Sequence, residues 1–417
     1  MSSAYSNALA GLTANAQAIN IVSGNLANLS TTGYKDQKVS FQDLVNESLS
    51  GFTSSGSVSG STIATSTQQF SQGTLQTTNG AFDAAIQGDG FFVLKNAAGQ
   101  QLFTRQGNFQ VDSSGHLMTA TGQFVEGWNA ANGALTTNGA TTDIQLPTTT
   151  APAKATTTIS VGANLDANSV VNAPASPNFS SPVQVYDSLG SPHTLTVSYT
   201  KTGLNTWTYA ITVPPADVTG GSAAALQTGT LTFDTSGHLT LPLSAPAPAG
   251  PIAIKSLADG AADMSIAWDP SANGNANFTQ FSQASANVSN DQNGLAAGQL
   301  TSMKIGPNGT VVASYSNGTS QGVAQIALAS ILNPDSMQQL DGNNFVATSL
   351  TAKPAIDIPS TGARGQITGG ALETSTVDIA TEFTNLLQYE RGYQANSKVI
   401  TTEDQIIQQT IGLIPAA

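Results

Sequence analysis

The chain has 417 residues, only 9% of them charged, with 25 acidic against 12 basic and a formal net charge of −13. That length supports two or three domains and a sizeable core. The lack of any basic cluster excludes nucleic acid and argues against an anionic membrane surface as partner. No cysteine is present, which excludes disulfides and thiol chemistry.

The first charged residue is Lys35. The preceding "MSSAYSNALAGLTANAQAINIVSGNLANL" lacks the basic and continuous apolar regions of a secretory signal. No run approaches the ~18 apolar residues of a membrane helix, so no membrane insertion is expected. Leu9, Leu12, Ala16, Ile19, Ser23 and Leu26 follow alternating three- and four-residue steps, a coiled-coil-like seam widened by Ala8, Val22 and Leu29. The helix is expected to stop near Ser30, where "STTG" offers poor helix formers and Gly33 suits a left-handed turn.

Between the ends the chain reads as β-rich. Five turns share one design, a polar turn ending in Gly before strand residues: "NAAGQQLF", "DSSGHLM", "DSLGSPHTLTV", "DTSGHLTL" and "GPNGTVVASY". Asp or Asn near the start can bond its own backbone, and Gly supplies the positive φ. "SLSGFTSSGSVSGST" (48–62) is either a flexible linker or a loose hairpin. "LPTTTAPAKATTT" (146–158) and the polar stretch around 272–290 mark junctions.

The C-terminal region mirrors the first helix, with a seam through Ile379, Phe383, Leu386, Tyr393, Ile400, Ile407, Ile411 and Ile414. Ser375 or Thr376 can cap its start, and Asp378 and Glu382 suit the positive end of the helix dipole. Two such helices either lie on a globular core or pair with each other and with other chains. The uncharged outer face of the first helix and the position of both at the ends favour pairing. The expected class is α+β and multidomain, with nested parts. Residues 1–30 with 374–417 form a helical domain, 31–70 with 361–373 a linker, 71–147 with 285–360 a β-rich intermediate domain, and 148–284 an inserted β-rich outer domain.

Catalytic chemistry has little support. His116, His193 and His238 are the only histidines, and two share the same place in a D-x-S-G-H-L turn, which reads as an exposed residue beside a hairpin. No metalloprotease, nucleophile-elbow, phosphate-loop or calcium-loop pattern occurs. "GDGFFV" lacks the third glycine of a dinucleotide fingerprint. No catalytic, metal or cofactor residue is nominated, and no enzyme is expected.

The two ends together carry a resemblance. "SGNLANLSTTGYK" resembles the N-terminal signature of the bacterial flagellar rod and hook subunit family, an Asn-containing helix ending in T-x-G-[YF]-K. "GALETSTVDIATEFTNLLQYERGYQANSKVITTEDQII" is similar to its C-terminal signature, and 88–128 and "NPDSMQQLDGNNFVAT" to its intermediate domain. The large insert at 148–284 favours the hook members over the shorter rod subunits, the alternative; a secreted β-rich adhesin or enzyme is the more distant one. The resemblance implies a helical homopolymer with the terminal helices as its inner wall. It implies as partners the rod and hook–filament junction proteins, the hook cap and the flagellar type III export apparatus, with export lacking signal-peptide cleavage. It places the chain in the extracellular flagellum as a universal joint that transmits torque. It further implies that Asn15, Asn20, Asn25 and Asn28 bond across subunits or face the channel, against the reading of a solvated polar face. Gly33, with Tyr34 and Lys35 of the motif, and segment 48–62 are the expected hinges.

Overall fold

The computed structural model describes residues 3–45, 60–131, 134–148, 150–172, 176–221, 224–241, 250–268 and 277–412. It is mostly β, with one helix near each end. The chain divides into two compact units, one of Met1–Thr148, Ser302–Ala313 and Ser320–Ala417, the other of Thr149–Thr301 with Ser314–Thr319.

In the first unit, helix α1 covers Ser3–Ala27 and helix α2 covers Ile379–Gly412. Capping of α2 differs from expectation. Asp378, not Ser375 or Thr376, accepts the Thr381 N–H at 2.7 Å, and this bond holds its carboxyl below the usual range. Thr376 is otherwise engaged, donating from Oγ1 to Asp36 Oδ1 at 2.7 Å. After α1, strands Gln37–Val45 and Gly60–Gln68 pair antiparallel in unbroken register. The flanks of the expected 48–62 linker are therefore hairpin strands, and residues 46–59 lie outside the described residues.

The main sheet of this unit brings distant segments together. Phe91–Lys95 lies between Gln101–Thr104 and Phe124–Asn129. Gln101–Thr104 in turn pairs with Asn344–Val346, and Phe124–Asn129 with Ser320–Ile326. Phe91, Val93, Phe103, Trp128, Ala329 and Phe345 fill its core, with Phe70 edge-on to Phe91 and Phe345. Two short ladders bring the chain back to α2: Ala84–Gln87 pairs with Gln366–Gly369, and Leu75–Thr77 with Ala371–Glu373. The second ladder carries Glu373 to the residues that follow α1.

Among the described residues, the second unit has two five-stranded sheets over an apolar core that includes Trp207, Tyr199, Tyr209, Trp268 and Phe278. Strand Pro192–Gly203 alternates buried and exposed residues through most of its length, the period of a half-buried strand. The unit extends beyond the expected boundary at 284, because Ala286–Gln292 pairs antiparallel with Thr158–Asn164.

Four of the five turns follow the expected mechanism. Asn96, Asp112, Asp187 and Asp234 each accept two backbone N–H bonds from residues two and four ahead. Gly99, Gly115, Gly190 and Gly237 supply the positive φ. The fifth turn instead places Asn308 itself at φ 58°, beside Gly309.

Candidate functional site

The terminal helices pair antiparallel, through small and polar side chains. A β-carbon at Gly11 would lie 2.7 Å from Asn396 Nδ2, and one at Gly392 would lie 2.7 Å from Asn15 Oδ1. Asn25 Nδ2 donates to Glu382 Oε1 at 3.2 Å. These pairs, 11 with 396, 15 with 392 and 25 with 382, keep one antiparallel register. Ala8, Ala14, Ala18 and Val22 are the buried apolar residues of α1, so backbones approach closely where glycine and alanine leave room.

The residues of the expected seam divide. Leu9, Phe383, Tyr393 and Ile407 are exposed, while Leu12, Ile19, Leu26, Leu29, Leu386 and Ile400 are half-buried. Among the described residues of the expected seam, Ala8 and Val22 are buried. The side chain of Ile411 and all of Ile414 lie outside the described residues. Ile379, Leu387, Val399 and Ile406 are also exposed. Periodicity finds an apolar stripe, but the intrachain partner takes the small-residue face beside it.

The asparagines separate into different roles. Asn25 is fully buried and joins four groups. Its Nδ2 donates to the Gln37 carbonyl at 2.8 Å and to Glu382, and its Oδ1 accepts from the Tyr34 hydroxyl at 3.2 Å and the Gln37 N–H at 3.0 Å. It is thus committed within the chain, a correction of its expected intersubunit role. Asn15 and Asn28 donate to the carbonyls of Gly11 and Gly24 on their own helix. Asn20 is exposed. Burial raises the pKa of Glu382, which Asp36 and Asp378 raise further and the Asn25 bond opposes.

Below Asn25 lies a buried charge cluster that the sequence did not disclose. Lys35, with no exposed surface, places Nζ 2.6 Å from Glu373 Oε1 and 2.5 Å from the Ser71 carbonyl. The same Glu373 oxygen accepts the Gly73 N–H at 2.7 Å. Arg105 NH1 lies 3.5 Å from Glu373 Oε2, and its guanidinium sits 5.2 Å from the Phe91 ring centroid. Burial pulls the pKa of Lys35 below its ordinary value, partly offset by Glu373. Three ionised groups in such surroundings are tolerated only when paired.

Gly33 fits between these parts. Its φ is +65°, its N–H donates to the Glu373 carbonyl at 2.7 Å, and a β-carbon would lie 2.6 Å from the Arg105 carbonyl group. Tyr34 and Lys35 are buried. At the expected hinge, Gly33–Lys35, hydrogen bonds and an ion pair engage the chain on both sides. Glu373 lies in the C-terminal segment "GALETSTVD" that carried the resemblance, but nothing in the sequence tied it to Lys35.

The three histidines differ in burial. His238 is exposed and His116 partly so, but His193 is buried. Its Nδ1 lies 3.1 Å from Asp217 Oδ2, and its Nε2 3.1 Å from Asp187 Oδ2 and 3.8 Å from Asp259 Oδ2. Burial opposes protonation of His193, but the carboxylates outweigh it and its pKa is raised. Asp187 is held at about 2, burial being outweighed by hydrogen bonding with Asp259, His193 and its turn amides. The cluster joins three loops.

Among the described residues no helix is long and apolar enough to cross a membrane. Four family models match in chain order: the flagella basal body rod protein at 6–35, the flagellar hook protein FlgE/F/G D1 domain at 85–164, the flagellar basal body protein FlaE D2 domain at 155–295, and the flagellar basal body rod FlgEFG protein C-terminal at 368–413. The chain is 32% identical to the flagellar hook protein FlgE of Escherichia coli over 98% of this chain and 100% of that protein. It is 30% identical to the protein of that name from Treponema pallidum, covering 95% and 96%. The crystal structure of Helicobacter pylori flagellar hook protein FlgE2 shares the fold, with a TM-score of 0.54 at 15% identity over 72% of this chain and 100% of that one.

Proposed function

The chain belongs to the flagellar hook protein family and is a structural subunit of the hook, and we propose that it polymerises through its terminal helices into a curved, torque-transmitting tube. The observation that carries the reading is the set of exposed apolar residues on the helix pair. Phe383, Leu387, Tyr393, Val399 and Ile407 of α2 are exposed, with Leu9 of α1. Exposed apolar side chains along one helix suit an interaction site, and a second copy of the pair supplies the matching surface. Absence of charge from the whole of α1 supports its enclosure by neighbouring copies, where an unpaired charge would be costly.

The Gly33–Lys35 junction then carries load. Glu373 ties the end of the return strand to Lys35 and Gly33, so torque on the β-domains passes to the helices through buried bonds. Bending is assigned to sliding between copies. The rod, the hook–filament junction proteins, the hook cap and the flagellar export apparatus are the proposed partners, and the extracellular flagellum the proposed site. Residues 149–301 are proposed as the outer, surface domain.

Immunogold labelling of isolated hook–basal bodies with antibody against 149–301 tests the placement. Label along the curved tube is expected; label confined to the rod would defeat it. Phe383→Ser with Leu387→Ser tests the helix surface, with loss of polymer and an unchanged monomer expected.

A further inference from the structure

The first unit holds a second apolar feature, away from its helices. Leu332 is 88% and Leu350 is 80% exposed. Single exposed leucines are ordinary, but these two project from loops that are stapled together. Asn333 Nδ2 donates to the Leu350 carbonyl at 2.8 Å, and Asn333 Oδ1 accepts the Ala352 N–H at 2.7 Å. Ser336 Oγ and Thr351 Oγ1 lie 3.0 Å apart, and Thr348 Oγ1 donates to the Ser336 carbonyl at 2.9 Å. The leucines therefore form a preorganised knob, with the exposed carboxylate of Asp335 beside it.

The same unit has a groove of ≈ 730 Å³ between segments 78–81, 302–307 and 366–370. Glycine lets two of its walls meet closely, since a β-carbon at Gly369 would collide with the Ile305 carbonyl oxygen. Met303 gives it a partly exposed apolar wall over the buried Ile305 and Ile367, and the exposed Lys304 stands at its rim. Ser302–Ile305 belongs to the strand at the edge of the main sheet.

We propose that the Leu332–Leu350 knob of one copy seats in this groove of a neighbouring copy, with Asp335 of the knob facing Lys304 of the groove. The inference rests on the homopolymer reading. Two different patches of one chain that fit each other make a head-to-tail contact, the kind that builds open helical filaments. Charge complementarity singles out a second copy, because an acidic chain with 12 basic residues offers few cations, and one stands at the groove. An apolar knob with one flanking charge also suits a joint, since apolar contact is non-directional and tolerates sliding.

The cysteine-free sequence allows a direct test in assembled hooks. A chain carrying Ser302→Cys and Leu350→Cys is expected to give a ladder of disulfide-linked multimers after oxidation. Each single variant is expected to give no ladder. Hooks that assemble from the double variant without a ladder would overturn the proposal. If the double variant fails to assemble, the charge pair decides. Lys304→Asp and Asp335→Lys singly should each raise the concentration needed for polymerisation, and the combination should restore it. Singles that polymerise like the parent chain overturn the contact. Leu332→Ser and Leu350→Ser are each expected to raise that concentration about tenfold. Absence of the unmodified chain from hooks would instead refute the homopolymer reading, so the two failures are distinguishable.

Discussion

Replacing Glu373 by glutamine removes one charge with almost no change of shape. The amide oxygen can still accept the Gly73 N–H and approach Lys35, but two buried cations, Lys35 and Arg105, lose their counter-charge. Removing one partner of a buried ion pair typically costs about 3–5 kcal/mol. An upper bound follows from Lys35 itself, which can shed its proton. Neutralising a lysine of ordinary pKa at pH 7 costs about 5 kcal/mol, and burial already favours that form. The transition of the first unit is therefore expected to fall by roughly 6–20 °C in calorimetry, at about 2–4 °C per kcal/mol. The variant should also acquire a pH signature. Its folded state binds fewer protons than the unfolded chain, so its stability should rise with pH up to the ordinary lysine pKa. Lys35→Met combined with Glu373→Gln should recover at least half of the loss. A variant within about 0.5 kcal/mol of the parent, the range of an ordinary surface change, would refute the reasoning that this cluster is structurally committed.

Gly33→Ala places a side chain at positive φ against the Arg105 backbone; a loss of at least about 2 kcal/mol is expected in urea unfolding. Gly392→Leu should wedge Asn15 away from α2, lowering helix content in circular dichroism and exposing α2 to limited proteolysis, while Gln394→Leu on the exposed face should not. His193 has a folded pKa above its ordinary 6.5, so its stabilisation is complete below that value and lost as pH rises through the folded pKa. Urea titrations of the second unit across this range should show that slope, and His193→Gln should abolish it.

The sequence by itself determined the class of this protein and much of its local structure. The two seams announced helices at both ends, because 3.6-residue periodicity is a property of each segment alone. The Asp-to-Gly turns were likewise legible, since Asp112, Asp187 and Asp234 bond only residues within four positions. The motif residues around Gly33 were found through resemblance, but their contacts were not, because a glycine at positive φ looks the same in a hinge and in a tight junction. Only the tertiary structure decided that Gly33 touches the Arg105 backbone and that Lys35, Arg105 and Glu373 share one buried site. These groups lie 338 positions apart at the extreme, and no local pattern encodes such a pairing. The same holds for the helix faces. An apolar stripe reports that something covers it, whereas the small residues Gly11, Ala18 and Gly392 let the partner helix approach on the neighbouring face. His193 followed this rule too: its burial depends on Asp217 and Asp259, brought in from other loops, which the turn repeat beside it could not reveal.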